Sequence, residues 1–133
     1  TQLGPIDLAQ FRGRPLVLYF YPKDSTPGCT REAVNFQARL DDFERFNAQV
    51  VGCSVDSVRS HQRFAERQGI QFPLISDADK SICTRLGVLN ERGTSARRTT
   101  LVVDGDGIVR KIFENVKVPG HVDQVLEALQ ELV

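Results

Sequence analysis

The sequence predicts an α/β fold in which a mixed sheet of about five strands lies between helices on both faces. Two apolar runs, 16–21 and 50–55, are each followed by a segment with helical periodicity, and this order favours parallel strands. The first run is continuously apolar, as is typical of a strand that is buried on both faces, and the second run also predicts a buried strand. Near the C-terminal end, the turn 104–107 separates two extended runs and predicts a hairpin that adds an antiparallel edge.

The first predicted strand–helix unit follows a loop over residues 1–13. Residues 16–21 form the strand, and a helix is expected from Pro27 to about Asn47. The helix should face the core with a stripe of apolar residues spaced three or four apart, namely Ala33, Phe36, Leu40, Phe43 and Phe46.

The second unit consists of the strand 50–55 and a helix capped by Asp56 or Ser57. Gly69 is expected to end this helix. Its predicted inner face is formed by Val58, His61, Phe64 and Ala65.

The remaining elements are shorter. Residues 71–76 are predicted to be extended, Asp77 to open a short helix, and residues 99–103 and 108–113 to form the closing hairpin. The short helix should point Ile82, Cys83 and Leu86 inward. A last helix after Gly120 should bury Val122, Val125, Leu126, Leu129 and Leu132.

Length and composition favour one soluble domain over residues 1–133, expected to be a monomer. Seventeen basic residues balance 17 acidic ones, so no overall charge directs the protein to nucleic acid or to an anionic membrane. No apolar run approaches the roughly 20 residues that span a bilayer. Three cysteines do not make a disulfide framework, which favours a reducing, cytoplasmic location. Because the sequence starts at Thr1 and not at a methionine, the removal of a leader peptide stays open.

The chemically informative stretch lies between the first strand and the first long helix, at residues 22–32. Thr26 followed by Pro27 is a helix-start signal, with a hydroxyl able to cap free N–H groups and a proline at the first helical position. Cys29 then falls in the first turn, where unpaired N–H groups and the helix dipole favour the reactive thiolate. The alternative is a small buried core residue, but the polar neighbours of Cys29 favour a functional turn over a core.

The run Tyr-Pro-Lys-Asp-x-Thr-Pro-Gly-Cys-Thr-x-Glu at residues 21–32 resembles the active-site segment of the peroxiredoxins. The similarity is greatest to the branch of bacterioferritin comigratory protein and peroxiredoxin Q, and it extends over nearly the whole chain. It implies a thioredoxin-like fold. It also implies reduction of hydrogen peroxide and organic hydroperoxides by a cysteine that becomes a sulfenic acid and is regenerated by thioredoxin- or glutaredoxin-type thiols. The family's N-terminal hairpin is expected to be missing or truncated here.

The resemblance also assigns roles to individual residues. It implies Cys29 as the peroxidatic cysteine, Thr26 as a hydroxyl that contacts the peroxide, and Pro22 as a wall of the pocket. An arginine from a distant strand should lie beside the cysteine. Arg98 aligns with it, and Arg97 is the neighbouring alternative, because strand alternation lets only one of them face the site.

Deprotonation of the thiol alone is too small an effect for catalysis. Raising the thiolate fraction from about 3% to about 90% gains only ~30-fold, or ~2 kcal/mol. The larger contribution must come from donors that stabilise the departing oxygen, for which the candidates are Thr26, Arg98 and the backbone N–H groups of Gly28 and Cys29.

The route by which oxidised Cys29 is resolved is predicted by elimination. The positions where the family often carries a second reactive cysteine are occupied here by Val34 and, by alignment, Ala65. Cys53 is expected in the core. Cys83, on the apolar side of a short helix, is the remaining candidate for a resolving cysteine, but we expect a one-cysteine cycle that uses external thiols.

Other candidates carry less information. The cysteines and the two histidines show no metal-ligand spacing, so no metal or other cofactor is predicted, and His61 and His121 are expected to be packed structural residues. A disulfide oxidoreductase would carry Cys-x-x-Cys, but residue 32 is Glu. The remaining alternative is a non-catalytic redox sensor that passes oxidation from Cys29 to a partner protein.

Overall fold

The structure, a computed structural model described here for residues 1–132, is built on one five-stranded sheet. In chain order the strands are β1 (Leu16–Phe20), β2 (Gln49–Ser54), β3 (Leu74–Ser76), β4 (Thr99–Val103) and β5 (Val109–Phe113). Their order across the sheet is β3-β2-β1-β4-β5, so the first strand lies at the centre. The predicted class, a mixed sheet with a thioredoxin-like arrangement of helices, is confirmed.

The alternation of strands and helices did not specify the direction of β4. Strands β1, β2 and β3 are parallel, but β4 is antiparallel to β1, with Phe20 opposite Thr99 and Leu16 opposite Val103. The connection from β3 starts and finishes at the same end of the sheet, so β4 has to run back against β1. The start of β4 therefore lies beside the end of β1, where the loop that carries the reactive cysteine begins.

The helices are a short 3₁₀ helix (Leu8–Phe11), α1 (Pro27–Ala38), α2 (Leu40–Arg45), α3 (Val58–Gln68), α4 (Ser81–Leu86) and α5 (His121–Glu131). The single helix expected from Pro27 to Asn47 is wrong, because it is broken at Arg39. Arg39 leaves helical geometry with φ −109° and ψ 15°, and its N–H bonds back to Phe36. The break turns α2 so that Phe43 still packs on the core.

Two apolar clusters lie on opposite faces of the sheet. Because side chains alternate along a strand, β1 contributes Val17 and Tyr19 to the first cluster and Leu18 and Phe20 to the second. Helices α1, α2, α3 and α5 cover the first cluster. The second lies under the 3₁₀ helix and α4. The reactive segment belongs to the first face.

Two residues predicted to face inward are exposed. Val58 is the first residue of α3, and the buried stripe of that helix begins only at His61. Leu86 is the last residue of α4, a helix of six residues whose end projects beyond the core it covers. Within residues 1–132, no helix combines the length and the apolar character that a membrane span requires.

Candidate active site

The chain between β1 and α1 forms a tight turn that presents Cys29. Ser25 adopts a left-handed conformation with φ +63°, Thr26 returns to an extended one, and Pro27 begins the helix. The first helical hydrogen bond runs from Thr30 N–H to the Thr26 carbonyl, so the N–H groups before Thr30 lie ahead of the intrahelical ladder. Cys29 therefore lies at the positive end of the α1 dipole, as predicted.

The side chain of Cys29 points into the protein and not into a wet turn. Only 1% of the residue is exposed, and it belongs to the same cluster as Ala33 and Phe36, four and seven positions further along α1. This spacing places the three residues on one helical face, and that face packs on the sheet. The expectation that polar neighbours would keep the cysteine out of the core is wrong.

Arg98 reaches the cysteine from the residue just before β4. Its Nη2 atom lies 3.5 Å from Sγ of Cys29 and its Nη1 atom lies 2.8 Å from Oε1 of Glu32. Arg97 is exposed and donates to the carbonyl of Gly87 instead. The structure thus brings Arg98, and not Arg97, to the candidate site.

Gly28 gives the guanidinium room to approach. A Cβ atom at this position would lie 3.1 Å from Nη2 of Arg98, closer than nearly all such contacts in proteins. A side chain at residue 28 would require the guanidinium to shift by a few tenths of an ångström. The missing side chain of Gly28 therefore leaves room for Arg98 beside Cys29, and the predicted role of its backbone N–H stays a prediction.

Glu32 is the site residue whose role the sequence analysis missed. It lies three positions after Cys29, on the same helical face, and is only 1% exposed. Burial raises the pKa of its carboxyl from the usual 4.5 to about 7, although the Arg98 guanidinium opposes the rise. The contact with Arg98 is therefore an ion pair only in the carboxylate form. The spacing from Cys29 was the available signal, but a glutamate in a helix is ordinarily exposed.

The raised pKa of Glu32 predicts a particular pH dependence of stability. Between pH 4.5 and about 7 the unfolded chain releases a proton that folded Glu32 keeps, so the free energy of unfolding falls as pH rises, and it levels off above that range. The size of the shift corresponds to about 3 kcal/mol. The test uses the Cys29→Ser background, in which no thiolate competes for Arg98. The difference in stability between Cys29→Ser and Cys29→Ser with Glu32→Gln, measured by denaturant unfolding, should change by that amount across this range. The exposed control Glu44→Gln in the same background should follow Cys29→Ser; equal pH profiles with and without Glu32→Gln would contradict the assignment.

The Thr26 hydroxyl does not cap α1. It donates to the carbonyl of Lys23 at 2.7 Å and so closes the turn in front of the helix. The reversal at Ser25 directs the Thr26 side chain back along the loop. The hydroxyl oxygen keeps its acceptor capacity, and Thr26 and Pro22 are both partly exposed. Their predicted contacts with peroxide stay predictions.

A buried polar network fixes the other end of this turn. One carboxylate oxygen of Asp24 accepts from the Tyr21 hydroxyl at 2.6 Å, and the other lies 2.7 Å from Nδ1 of His61 and 2.8 Å from the Ser60 hydroxyl. Burial acts to raise the pKa of Asp24, but the hydrogen bonds from His61 and Tyr21 outweigh it and hold the pKa below its usual value. Nε2 of His61 lies 3.0 Å from the Ile75 carbonyl, so both ring nitrogens of this histidine face acceptors.

The same network contains ligand atoms of Asp24, Asp56 and His61 within 4.8 Å of one another. Asp56 accepts from the Asp24 N–H and from the Ser54 hydroxyl, so its carboxylate oxygen is already bonded. This pattern is typical of a hydrogen-bonded anchor for the loop. The predicted lack of a metal site stays a prediction.

Cys53 and Cys83 lie together in the second cluster, on the face of the sheet opposite Cys29. Both are fully buried and reduced. Their hydrogen bond, together with burial, raises the pKa of the Cys53 thiol far above its usual value, so this thiol stays neutral.

His61 and His121 are both buried and hydrogen-bonded, as expected of structural histidines. Nε2 of His121 lies 2.8 Å from the Thr100 hydroxyl.

The Cys29 sulfur thus lies in the first turn of α1, on one face of the sheet, 3.5 Å from the Arg98 guanidinium. Residues 1–112 match the AhpC/TSA family, and the chain belongs to that family of peroxiredoxins.

The similar proteins belong to the predicted branch. Peroxiredoxin Bcp of Xanthomonas campestris is 44% identical over 124 residues, which cover 89% of this chain and 78% of that protein. A structure of a cysteine-to-serine variant of peroxiredoxin Q from the same organism superposes with a TM-score of 0.92 at 41% identity, covering 96% of this chain and 85% of the other. BcpB of Mycobacterium tuberculosis superposes with a TM-score of 0.91 at 34% identity, covering 99% and 90%. The function that the sequence predicted, a thiol-dependent peroxidase, is thereby confirmed.

Proposed function

We propose that Cys29 is the peroxidatic cysteine of this thiol-dependent peroxidase and that Arg98 and the first turn of α1 stabilise the oxygen that leaves. The observation that carries the proposal is the 3.5 Å contact between Nη2 of Arg98 and Sγ of Cys29. One guanidinium can favour the thiolate before the reaction and the departing oxygen during it.

The chemistry is a two-electron transfer. The Cys29 thiolate attacks one oxygen of a hydroperoxide, an S–O bond forms, and the O–O bond breaks. The leaving oxygen takes the electron pair and a proton, so that the peroxide becomes an alcohol or water and the sulfur becomes a sulfenic acid. Arg98 and the N–H groups of Gly28 and Cys29 are the donors that stabilise the developing charge. The Thr26 hydroxyl, which donates its hydrogen to the Lys23 carbonyl, accepts a hydrogen bond from the peroxide, and Pro22 forms a wall of the pocket.

Organic hydroperoxides and hydrogen peroxide are the proposed substrates. The bacterioferritin comigratory protein of X. campestris, 41% identical to this chain and covering 95% of it with a TM-score of 0.90, has been studied for alkyl peroxide reduction. We further propose that the protein acts as a monomer in a reducing compartment such as the cytoplasm, since an odd count of three cysteines does not make a disulfide framework.

We propose that external thiols of the thioredoxin or glutaredoxin type resolve oxidised Cys29. Such a thiol attacks the sulfenic sulfur and releases water to give a mixed disulfide, and a second thiol frees Cys29. The separation of Cys29 and Ala65 equals that of the two cysteines replaced in variants of X. campestris peroxiredoxin Q, so one position of that pair is an alanine here. Cys83 lies across the sheet from Cys29 and is fully buried.

The test is oxidation of the reduced protein with one equivalent of peroxide and no reductant. We expect a sulfenic acid at Cys29 that a nucleophilic probe traps, full turnover in Cys83→Ser once excess thiol is added, and no intramolecular disulfide. A stoichiometric Cys29–Cys83 bond, with turnover lost in Cys83→Ser, would establish a two-cysteine cycle instead. Oxidation of Cys29 without turnover in excess thioredoxin or glutaredoxin would indicate a redox sensor.

A further inference from the structure

One partly buried cation, Arg98, contacts two acidic side chains at this site. The guanidinium of Arg98 bonds Glu32 through Nη1 at 2.8 Å and Cys29 through Nη2 at 3.5 Å. Glu32 and Cys29 are each 1% exposed. A single positive charge can compensate one buried anion well. A second buried anion beside it has no counter-charge, so its ionised form is energetically unfavourable.

The surroundings of Glu32 favour its neutral form when the thiolate is present. Within residues 1–132, Oε2 of Glu32 is buried and has no hydrogen-bond partner. An ionised carboxylate would leave that oxygen charged and unsatisfied in the interior, whereas a protonated carboxyl places its hydrogen there and carries no net charge.

The other titratable groups near Cys29, Glu32 and Arg98 do not supply a second positive charge. Burial, with Glu32 and Cys29 contributing, raises the pKa of Tyr19 on β1 well above 10, so its phenol stays neutral. Burial lowers the pKa of His121 on α5 to about 4, so its ring is neutral at pH 7. Asp24, in the loop before α1, is bonded to its own partners.

We propose that Cys29 and Glu32 share a single proton across Arg98, and that Glu32 gives this proton up when Cys29 is oxidised. The inference rests on the proposed peroxidase function. Before the reaction, the Cys29 thiolate pairs with Arg98 while Glu32 is a carboxylic acid. Oxidation replaces the thiolate by a neutral sulfenic acid, which frees Arg98 to pair with a Glu32 carboxylate.

In this scheme the site itself supplies the proton that the reaction consumes. The thiolate, the Glu32 carboxylic acid and ROOH become the sulfenic acid, the Glu32 carboxylate and ROH. The proton lost by Glu32 equals the proton gained by the leaving oxygen, so the peroxide is reduced without net uptake of a proton from the solvent. Glu32 is here a positioning residue that acts through Arg98, and no contact with substrate is required of it.

The test compares proton uptake in the wild type and in Glu32→Gln. Each reduced protein is mixed with one equivalent of hydrogen peroxide in weak buffer containing a pH indicator, at a slightly alkaline pH where ultraviolet absorbance shows that Cys29 is thiolate in both. We expect uptake well below one proton per Cys29, roughly 0.3 or less, in the wild type, and close to one in Glu32→Gln, which has no proton to supply. The exposed control Glu44→Gln should behave as the wild type does.

A second measurement does not depend on how the variant folds. Infrared difference spectra of the wild type should show a protonated carboxyl band that disappears on oxidation, and this band should be missing from Glu32→Gln. Uptake of one proton by the wild type, or no loss of a carboxyl band, would overturn the shared proton. Oxidation of Cys29 is followed by mass spectrometry in the same samples. A failure of the proposed peroxidase function would appear as no gain of oxygen at Cys29, and this result is distinct from a failure of the shared proton.

Discussion

Cys29→Ser is expected to abolish peroxide consumption. A serine hydroxyl is not ionised near neutral pH and cannot form a sulfenic acid, so no nucleophile remains at the site. Serine is close to cysteine in size, and Nη2 of Arg98, 3.5 Å from the sulfur, can donate to its oxygen. The variant should therefore fold, with a loss of stability of about 1–2 kcal/mol at most.

The measurement is peroxide removal in the presence of excess thiol reductant, with circular dichroism to establish that the variant is folded. Cys83→Ser makes the same exchange of sulfur for oxygen at another buried cysteine and should keep its activity. A folded Cys29→Ser protein that still removed peroxide at more than a small fraction of the wild-type rate would show that another residue is the nucleophile.

Arg98→Met should slow the oxidation of Cys29 by about 10²–10³-fold, the usual effect of removing one donor that stabilises an oxyanion. The variant loses the group that contacts both Cys29 and Glu32. Any part of the loss that comes from a smaller thiolate fraction is measured separately and divided out. The remaining factor measures the action of Arg98 on the departing oxygen.

Both quantities should be measured on the same samples: the rate constant of oxidation in single turnover, and the thiolate fraction from its ultraviolet absorbance. Arg97→Met is the matched control, since Arg97 is exposed and bonded to Gly87, and it should oxidise at the wild-type rate. A rate loss in Arg98→Met that the thiolate fraction explains completely would exclude the leaving-group role. A large loss in Arg97→Met would mean that the wrong arginine has been assigned.

The local features of this site could be predicted from the sequence. A proline after a threonine located the start of α1, and Cys29 followed in its first turn. A continuous apolar run located β1, and a largely apolar run located β2, because strands buried on both faces are rich in apolar side chains. These predictions depend on spacing and residue type alone, and the structure agrees with them.

The features that depend on tertiary packing could not be predicted from the sequence. The direction of β4 depends on where its connection leaves and re-enters the sheet, which helix–strand alternation does not specify. The buried position of Glu32 depends on a guanidinium that arrives from residue 98, and a single helical glutamate gives no sign of such a partner. The choice between Arg97 and Arg98 was likewise settled only by the geometry at the start of β4.

The antiparallel entry of β4 also has a consequence for a newly made chain. Arg98 is synthesised 69 residues after Cys29, and it reaches the sulfur only when β4 has joined β1. At translation rates of roughly 5–20 residues per second, Cys29 therefore exists for about 3–14 seconds before its arginine has been made. During that interval Cys29 lacks the contact with Arg98. If Arg98 activates Cys29 as proposed, a nascent chain should be oxidised by peroxide more slowly than the mature protein, and the rate of oxidation would then report that β4 has joined the sheet.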